Sequence, residues 1–244
     1  MLNLQKIEIV ISIMILSFVS IFSIVVNGSF QSFISKIFGD DTPYLLNYRL
    51  FNPIIFLDPI PIFISILFHV TWFKDIPFNP LNIRYPLRYL KIFIIYIAQA
   101  ISSFFISLIF MIILVYSIGM HKVILFTSQA FGQMAIFSNL GIKTNIYYLQ
   151  NYSSNYIVLI LILYYIAVFN ISFFSLNLVY SIVRYIDFLF YGKNYNYTNN
   201  LSLKFIIIFL MISLIFIPTI NIFVFKLIMD IILILQYYFN INII

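Results

Sequence analysis

Two stretches of the chain constrain its fold more than any other feature. Tyr156 to Tyr191 runs 36 residues with a single charged pair, Arg184 and Asp187. Leu203 to Phe239 runs 37 residues with charge only at Lys204, Lys226 and Asp230. The polar segment "GKNYNYTNN" separates them. A hydrocarbon layer is ~30 Å thick and takes ~20 apolar residues to cross. Each stretch, as one helix rising about 1.5 Å per residue, would reach roughly 54 Å. A segment that long tilts, kinks (here at Pro218) or leaves a wet end outside the layer. Two in succession, joined by a short turn, predict a long and strongly tilted helical hairpin over 156–239.

The rest of the chain is scarcely more polar. The whole chain is 64% hydrophobic and 8% charged, where soluble domains carry about 25% charged residues. No globular core hides that much apolar surface. Backbone groups in lipid must be paired, which leaves helices or closed barrels, and the long unbroken runs lack the ~10-residue alternation of barrel strands. The expected fold class is therefore an all-α integral membrane protein, one membrane domain over 1–244, with about five to six membrane helices of ~20 residues or more. Ile7 to Val26 predicts the first span. Asn27 to Asn52 reads as a polar loop, with "GDDTP" as its turn signal. Pro53 to Trp72 is a second apolar run, its helix starting near Pro59 or Pro61, where proline suits a first turn. Lys74 to Lys91, "KDIPFNPLNIRYPLRYLK", is the most basic stretch and belongs at or outside an interface. Ile92 to Ile118 is a long span closed by Gly119. Val123 to Leu140, with Gln129 and Gln133, either crosses or lies along the surface, and Gly141 to Asn155 is a polar loop.

Several function classes drop out. The chain has no cysteine, which removes disulfides and thiolate metal sites. His69 and His121 are too far apart in sequence to read as a metal motif. No glycine-rich phosphate loop, nucleophile elbow or zinc signature occurs, so no metal, no cofactor, no catalytic residue and no nucleotide chemistry are expected on this chain. The net charge of +6 is spread over 13 Lys and Arg; without a basic block there is no nucleic-acid footprint. Ile, Phe, Tyr and Asn are abundant while Ala and Gly are scarce. Those residues have AT-rich codons, which suggests an organellar genome or that of an AT-rich microbe. The N-terminus carries no Arg- and Ser-rich transit peptide, as an organelle-encoded protein would need none.

The candidate functional residues are the charges and amides inside these apolar runs. Arg184 has two readings. On an upright helix it lies past the exit point and snorkels; on a tilted helix it is a charge held inside the membrane, costing at least ~2.5–3.5 kcal/mol and marking an ion path. Asp187 shares its helix face, as an ion-pair partner or as a proton-relay carboxylate. Asn170, Asn177, Ser181 and Arg184, spaced by 7, 4 and 3, make one polar stripe on an apolar cylinder. Such a stripe lines water or glues helices together. Lys226 and Asp230 form an i,i+4 pair, and Gln236, with no charge nearby, calls for a partner from another helix.

The order of these features resembles subunit a of F-type ATP synthase, in a divergent, mitochondrial form. "FISILFHVTWFKDIPFNP" is similar to the family's apolar span ending in an "N-x-x-G-x-I-P" turn, of which Ile76 and Pro77 survive. "LVYSIGMHKVILF" resembles the span that ends in Gly and is followed by His and aromatics. "SIVRYIDFLFYGK" resembles the "S-L-x-x-R-L-x-x-N-x-x-x-G" helix, with Arg184 on the essential arginine and Gly192 on the glycine. "DIILILQYYF" resembles the closing "E-x-x-x-x-x-I-Q-A-Y-x-F" helix, with Gln236 and Tyr238 in place. The likeness covers about Pro59 to Ile244 and is strongest after Asn155. Where the family has an asparagine after the arginine this chain has Phe188, with Asp187 one position earlier. Lys193 replaces a histidine or glutamate after the glycine, Asn170 falls near the upstream acid, and Asp230 is shifted by one from the acid before the glutamine.

The resemblance implies a proton-translocating subunit of the Fo sector, in the mitochondrial inner membrane. Two half-channels would meet a ring of c subunits whose carboxyl groups lie at mid-membrane, with the arginine between them. It implies Arg184, Gln236, Asp187, Asn170 and Asp230 in proton translocation, and His121, Asn177, Ser181, Lys193 and Tyr238 as channel-lining residues. The partners it implies are the c ring, other Fo and peripheral-stalk subunits and membrane lipids. Two other classes fit the residues: an ABC-type permease half whose basic loop 74–91 docks onto an ATPase, and a structural subunit of a respiratory complex.

Overall fold

Helix is the only regular structure among the described residues of the computed structural model, which are 2–48, 52–58, 62, 74, 76–125, 153–191 and 203–239. The helices are α1 (Leu2–Ile37), α2 (Thr42–Leu45), α3 (Pro53–Phe56), α4 (Arg88–Ile118), α5 (Ser154–Tyr191) and α6 (Leu203–Phe239), with a 3-10 turn at Pro80–Asn82. Among the described residues, four segments are long and apolar enough to cross a membrane: 13–37, 88–118, 156–186 and 219–238. The chain is a multi-pass, all-α membrane protein. Of the other two segments considered as spans, 53–72 and 123–140, only 53–58, 62 and 123–125 are among the described residues.

The first helix corrects the sequence reading at its C-terminal end. It does not stop at Val26 but runs on to Ile37, through what was expected to be loop. The physical reason is a stripe. Ser20, Ser23, Asn27, Gln31 and Ser35 recur every three or four residues, and all five are buried. Polar residues at that spacing occupy one helix face, and α4 and α5 supply hydrogen-bond partners for Ser23, Asn27 and Gln31 that a loop would otherwise take from water. The same helix makes room for α3 at Gly28. A Cβ built there would overlap Cδ1 of Phe56 and meet its Cε1 at 2.7 Å, and the Phe56 ring is itself buried. Gly28→Ala is therefore expected to destabilise the chain by about 1–3 kcal/mol through overpacking, read as a lowered midpoint of thermal unfolding in detergent. A midpoint unchanged by Gly28→Ala would mean that the ring leaves freely.

Helices α4 and α5 lie antiparallel, and three contacts fix their register. The Tyr156 hydroxyl donates to the Ser117 carbonyl at 3.1 Å. The rings of Phe104 and Phe174 sit 5.5 Å apart. The Tyr185 hydroxyl donates to the Tyr89 carbonyl at 3.3 Å. Gly119 closes α4 in a positive-φ conformation (φ 86), the stop that the sequence predicts. α6 returns antiparallel to α5: the Asn221 amide donates to Ser172 at 3.1 Å, and Val224, Ile228 and Ile232 pack into one cluster with Ile160, Tyr164 and Ile171. The helical hairpin is present, and α6 passes Pro218 without a break.

Candidate functional site

α4 supplies a scale of depth. Its apolar run lies between Lys91 and the pair His121–Lys122, so the middle of the hydrocarbon falls at about Phe105. Near that level α1, α4 and α5 meet in a closed polar knot. The Asn27 amide donates to the Asn170 side-chain oxygen at 3.1 Å, and the Asn27 oxygen accepts from the Ser102 hydroxyl. The Asn170 amide spends one hydrogen on Ser23 at 2.9 Å and the other on the Ile166 carbonyl at 2.8 Å. Both asparagines have no exposed surface. Every amide group of Asn170 is thereby occupied within the helix bundle, which is the arrangement of helix–helix glue.

The remaining stripe on α5 also turns inward. Asn177 is buried and donates to the Phe173 carbonyl of its own helix at 2.8 Å; Ser181 is buried as well. Arg184 ends the stripe, half-buried, with its guanidinium carbon 5.6 Å from the centre of the Tyr180 ring, a cation–π distance. Its depth follows from its neighbour. Because Tyr185 bonds Tyr89, Arg184 is level with the first turn of α4, at the end that carries Arg88 and Lys91. Of Asp187 only the helical backbone is described; Lys193 and His69 lie outside the described residues.

Gln236 stands at the opposite end. Arg184 is twelve residues past Ser172 on α5 and Gln236 fifteen past Asn221 on the antiparallel α6. The two are thus separated by about 40 Å along the hairpin, at about 1.5 Å per residue. The structure does not bring Arg184 and Gln236 together. The Gln236 Nε2 is buried with no hydrogen-bond partner among the described residues. Tyr238 and His121 are exposed at that same end.

Two charges of α6 lie near mid-depth: Lys226, expected only to pair with Asp230, and Asp230 itself, which the resemblance implies in proton translocation. Asn221 is tied to Ser172, two residues from the knot at Asn170. Lys226 lies five residues further along α6, about 8 Å, which puts it close to the level of Ser107. Asp230 follows one turn later. Both side chains are exposed, on a face that also presents Ile222, Phe223, Leu233 and Ile234. No group of three or more His, Cys, Asp or Glu placed to hold a metal occurs among the described residues. Comparison with family models, curated proteins and solved structures found no match.

Proposed function

We propose that the chain is the proton-translocating subunit of the Fo sector of a rotary ATP synthase, divergent in form and seated in the mitochondrial inner membrane. The observation that carries the reading is the open face of α6. Each charge at the bilayer centre costs at least ~2.5–3.5 kcal/mol on insertion scales. A helix that exposes Lys226 and Asp230 at mid-depth therefore belongs against another membrane subunit, not against lipid.

A ring of subunits with mid-membrane carboxyl groups is a partner of the required chemistry. Facing lipid, such a carboxyl stays protonated, because an unpaired charge there costs too much. Facing a fixed cation it ionises, since a nearby positive charge favours the carboxylate. The proton then moves to or from water on one side, and the cation blocks direct leakage. The resemblance gives the cation's role to Arg184; the exposure of Lys226 on α6, near the level of Ser107 of α4, makes it a second candidate for that role.

Purification of the tagged chain from its native membrane in mild detergent tests the proposal. A ring of small, carboxyl-bearing subunits and a peripheral stalk are expected to accompany it. A nucleotide-binding dimer or a set of redox cofactors in their place would overturn it.

A further inference from the structure

We infer that residues 80–91 form a binding surface for anionic phospholipid headgroups, independent of the function proposed above. The segment folds as an exposed ledge at the end of α4. Arg88 is held in place from two sides: its Nε donates to the Pro80 carbonyl at 3.0 Å and its Nη1 to the Tyr85 hydroxyl at 3.4 Å. Lys91 donates to the Arg84 carbonyl at 2.9 Å. Arg84 itself is exposed, its stem lying over Gly39. Three cations are thus gathered within one turn of chain and its flanks. Leu81 and Tyr85 are each 78% exposed, Leu87 66% and Tyr89 64%.

Large apolar and aromatic side chains interleaved with cations match the interfacial layer, where rings sit at headgroup level and basic residues reach the phosphates. A free phosphate in water would need the cations but not the apolar tips. Among the described residues, the acids of this end, Asp40 and Asp41, are outnumbered by Lys36, Arg84, Arg88 and Lys91. Asp40 is fully buried, and its two oxygens accept from Ser35, Thr42, Asn79 and Asn82. Asp41 is exposed, but Lys36 of the same end lies over the Tyr44 ring at 4.2 Å and adds a further positive charge. A basic excess marks the leaflet side on which anionic lipids concentrate.

The test uses the full chain in nanodiscs of equal phosphatidylglycerol and phosphatidylcholine, released for native mass spectrometry. Phosphatidylglycerol is expected to be retained preferentially, and less so as salt is raised. The Arg84→Gln/Lys91→Gln variant is expected to lower the retained ratio about thirtyfold, from about fivefold per charge. The charge-conserving Arg84→Lys/Lys91→Arg variant should keep it, which separates loss of charge from loss of fold. Equal retention of the two lipids by the parent chain would overturn the inference. So would displacement of phosphatidylglycerol by inorganic phosphate, which would make a free anion the ligand, or an unchanged ratio in the glutamine variant.

Discussion

Loss of a single cation is expected to abolish proton-coupled ATP synthesis while leaving ATP hydrolysis by the soluble head running, and two variants say which cation it is. Arg184→Gln and Lys226→Gln are compared in membrane vesicles, with proton uptake and ATP hydrolysis measured side by side. Glutamine keeps much of the volume and some hydrogen bonding but removes the charge, so the effect isolates electrostatics. A neutral side chain no longer favours the ring carboxylate, and each turn of the ring either stalls or lets its proton slip. The field across the membrane is worth ~2.3 kcal/mol per charge per 100 mV, so an unguarded path between half-channels leaks strongly. If Lys226→Gln alone abolishes pumping, the cation is the one that the register puts at mid-depth. If Arg184→Gln alone does so, the resemblance has the residue right and α5 sits deeper in the assembled complex than against its own neighbours. Pumping retained by both variants would overturn the Fo reading altogether.

That the two criteria name different residues shows what the sequence could and could not convey. Apolar length was enough to predict helices at 92–118, 156–191 and 203–239, which the structure has at 88–118, 154–191 and 203–239, because no other structure satisfies its backbone in lipid. The hairpin followed from the polar break between the last two. Depth did not follow, because it depends on register between helices. Arg184 stands out in a run of apolar residues, yet its level is set by a contact made one residue later, Tyr185 with Tyr89. Lys226 is one half of an ordinary i,i+4 pair with Asp230 in sequence; it becomes conspicuous only because Asn221 is tied to Ser172. The polar knot was half legible. Asn170 was visible as part of a stripe, but its partner Asn27 was assigned to a loop. The signal that would have kept it on the helix, the recurrence of Ser23, Asn27, Gln31 and Ser35 at helical spacing, was there to be read. Periodicity of polar residues identifies a membrane helix as well as periodicity of apolar ones does.

Asp40 gave no such signal, and its replacement is expected to have the largest effect on stability. In the sequence it is one of two acids in "GDDTP", a turn. In the structure it is fully buried and joins three parts of the basic end. One oxygen accepts from the Thr42 backbone at 3.1 Å, from the Thr42 hydroxyl and from the Asn82 amide at 3.0 Å; the other accepts from the Asn79 backbone at 2.7 Å and from Ser35 at 3.3 Å. The C-terminal end of α1 is thereby fastened to the turn that leads into α4. Hydrogen bonds to a charged group contribute about 1.5–3 kcal/mol each and do not add simply, so Asp40→Ala is expected to cost about 3–5 kcal/mol, at the upper end for single substitutions. Asp40→Asn should cost less, because a flipped amide keeps the oxygen that serves Thr42 and Asn82 and loses mainly the Asn79 backbone donor. Thermal unfolding in detergent gives the ranking. Trypsin gives the location: with the staple gone, the chain after Arg84 and Arg88 should be cut much faster while the membrane helices stay protected. Unchanged cleavage at those two arginines in Asp40→Ala, whatever the midpoint did, would mean that Asp40 does not hold the ledge in place.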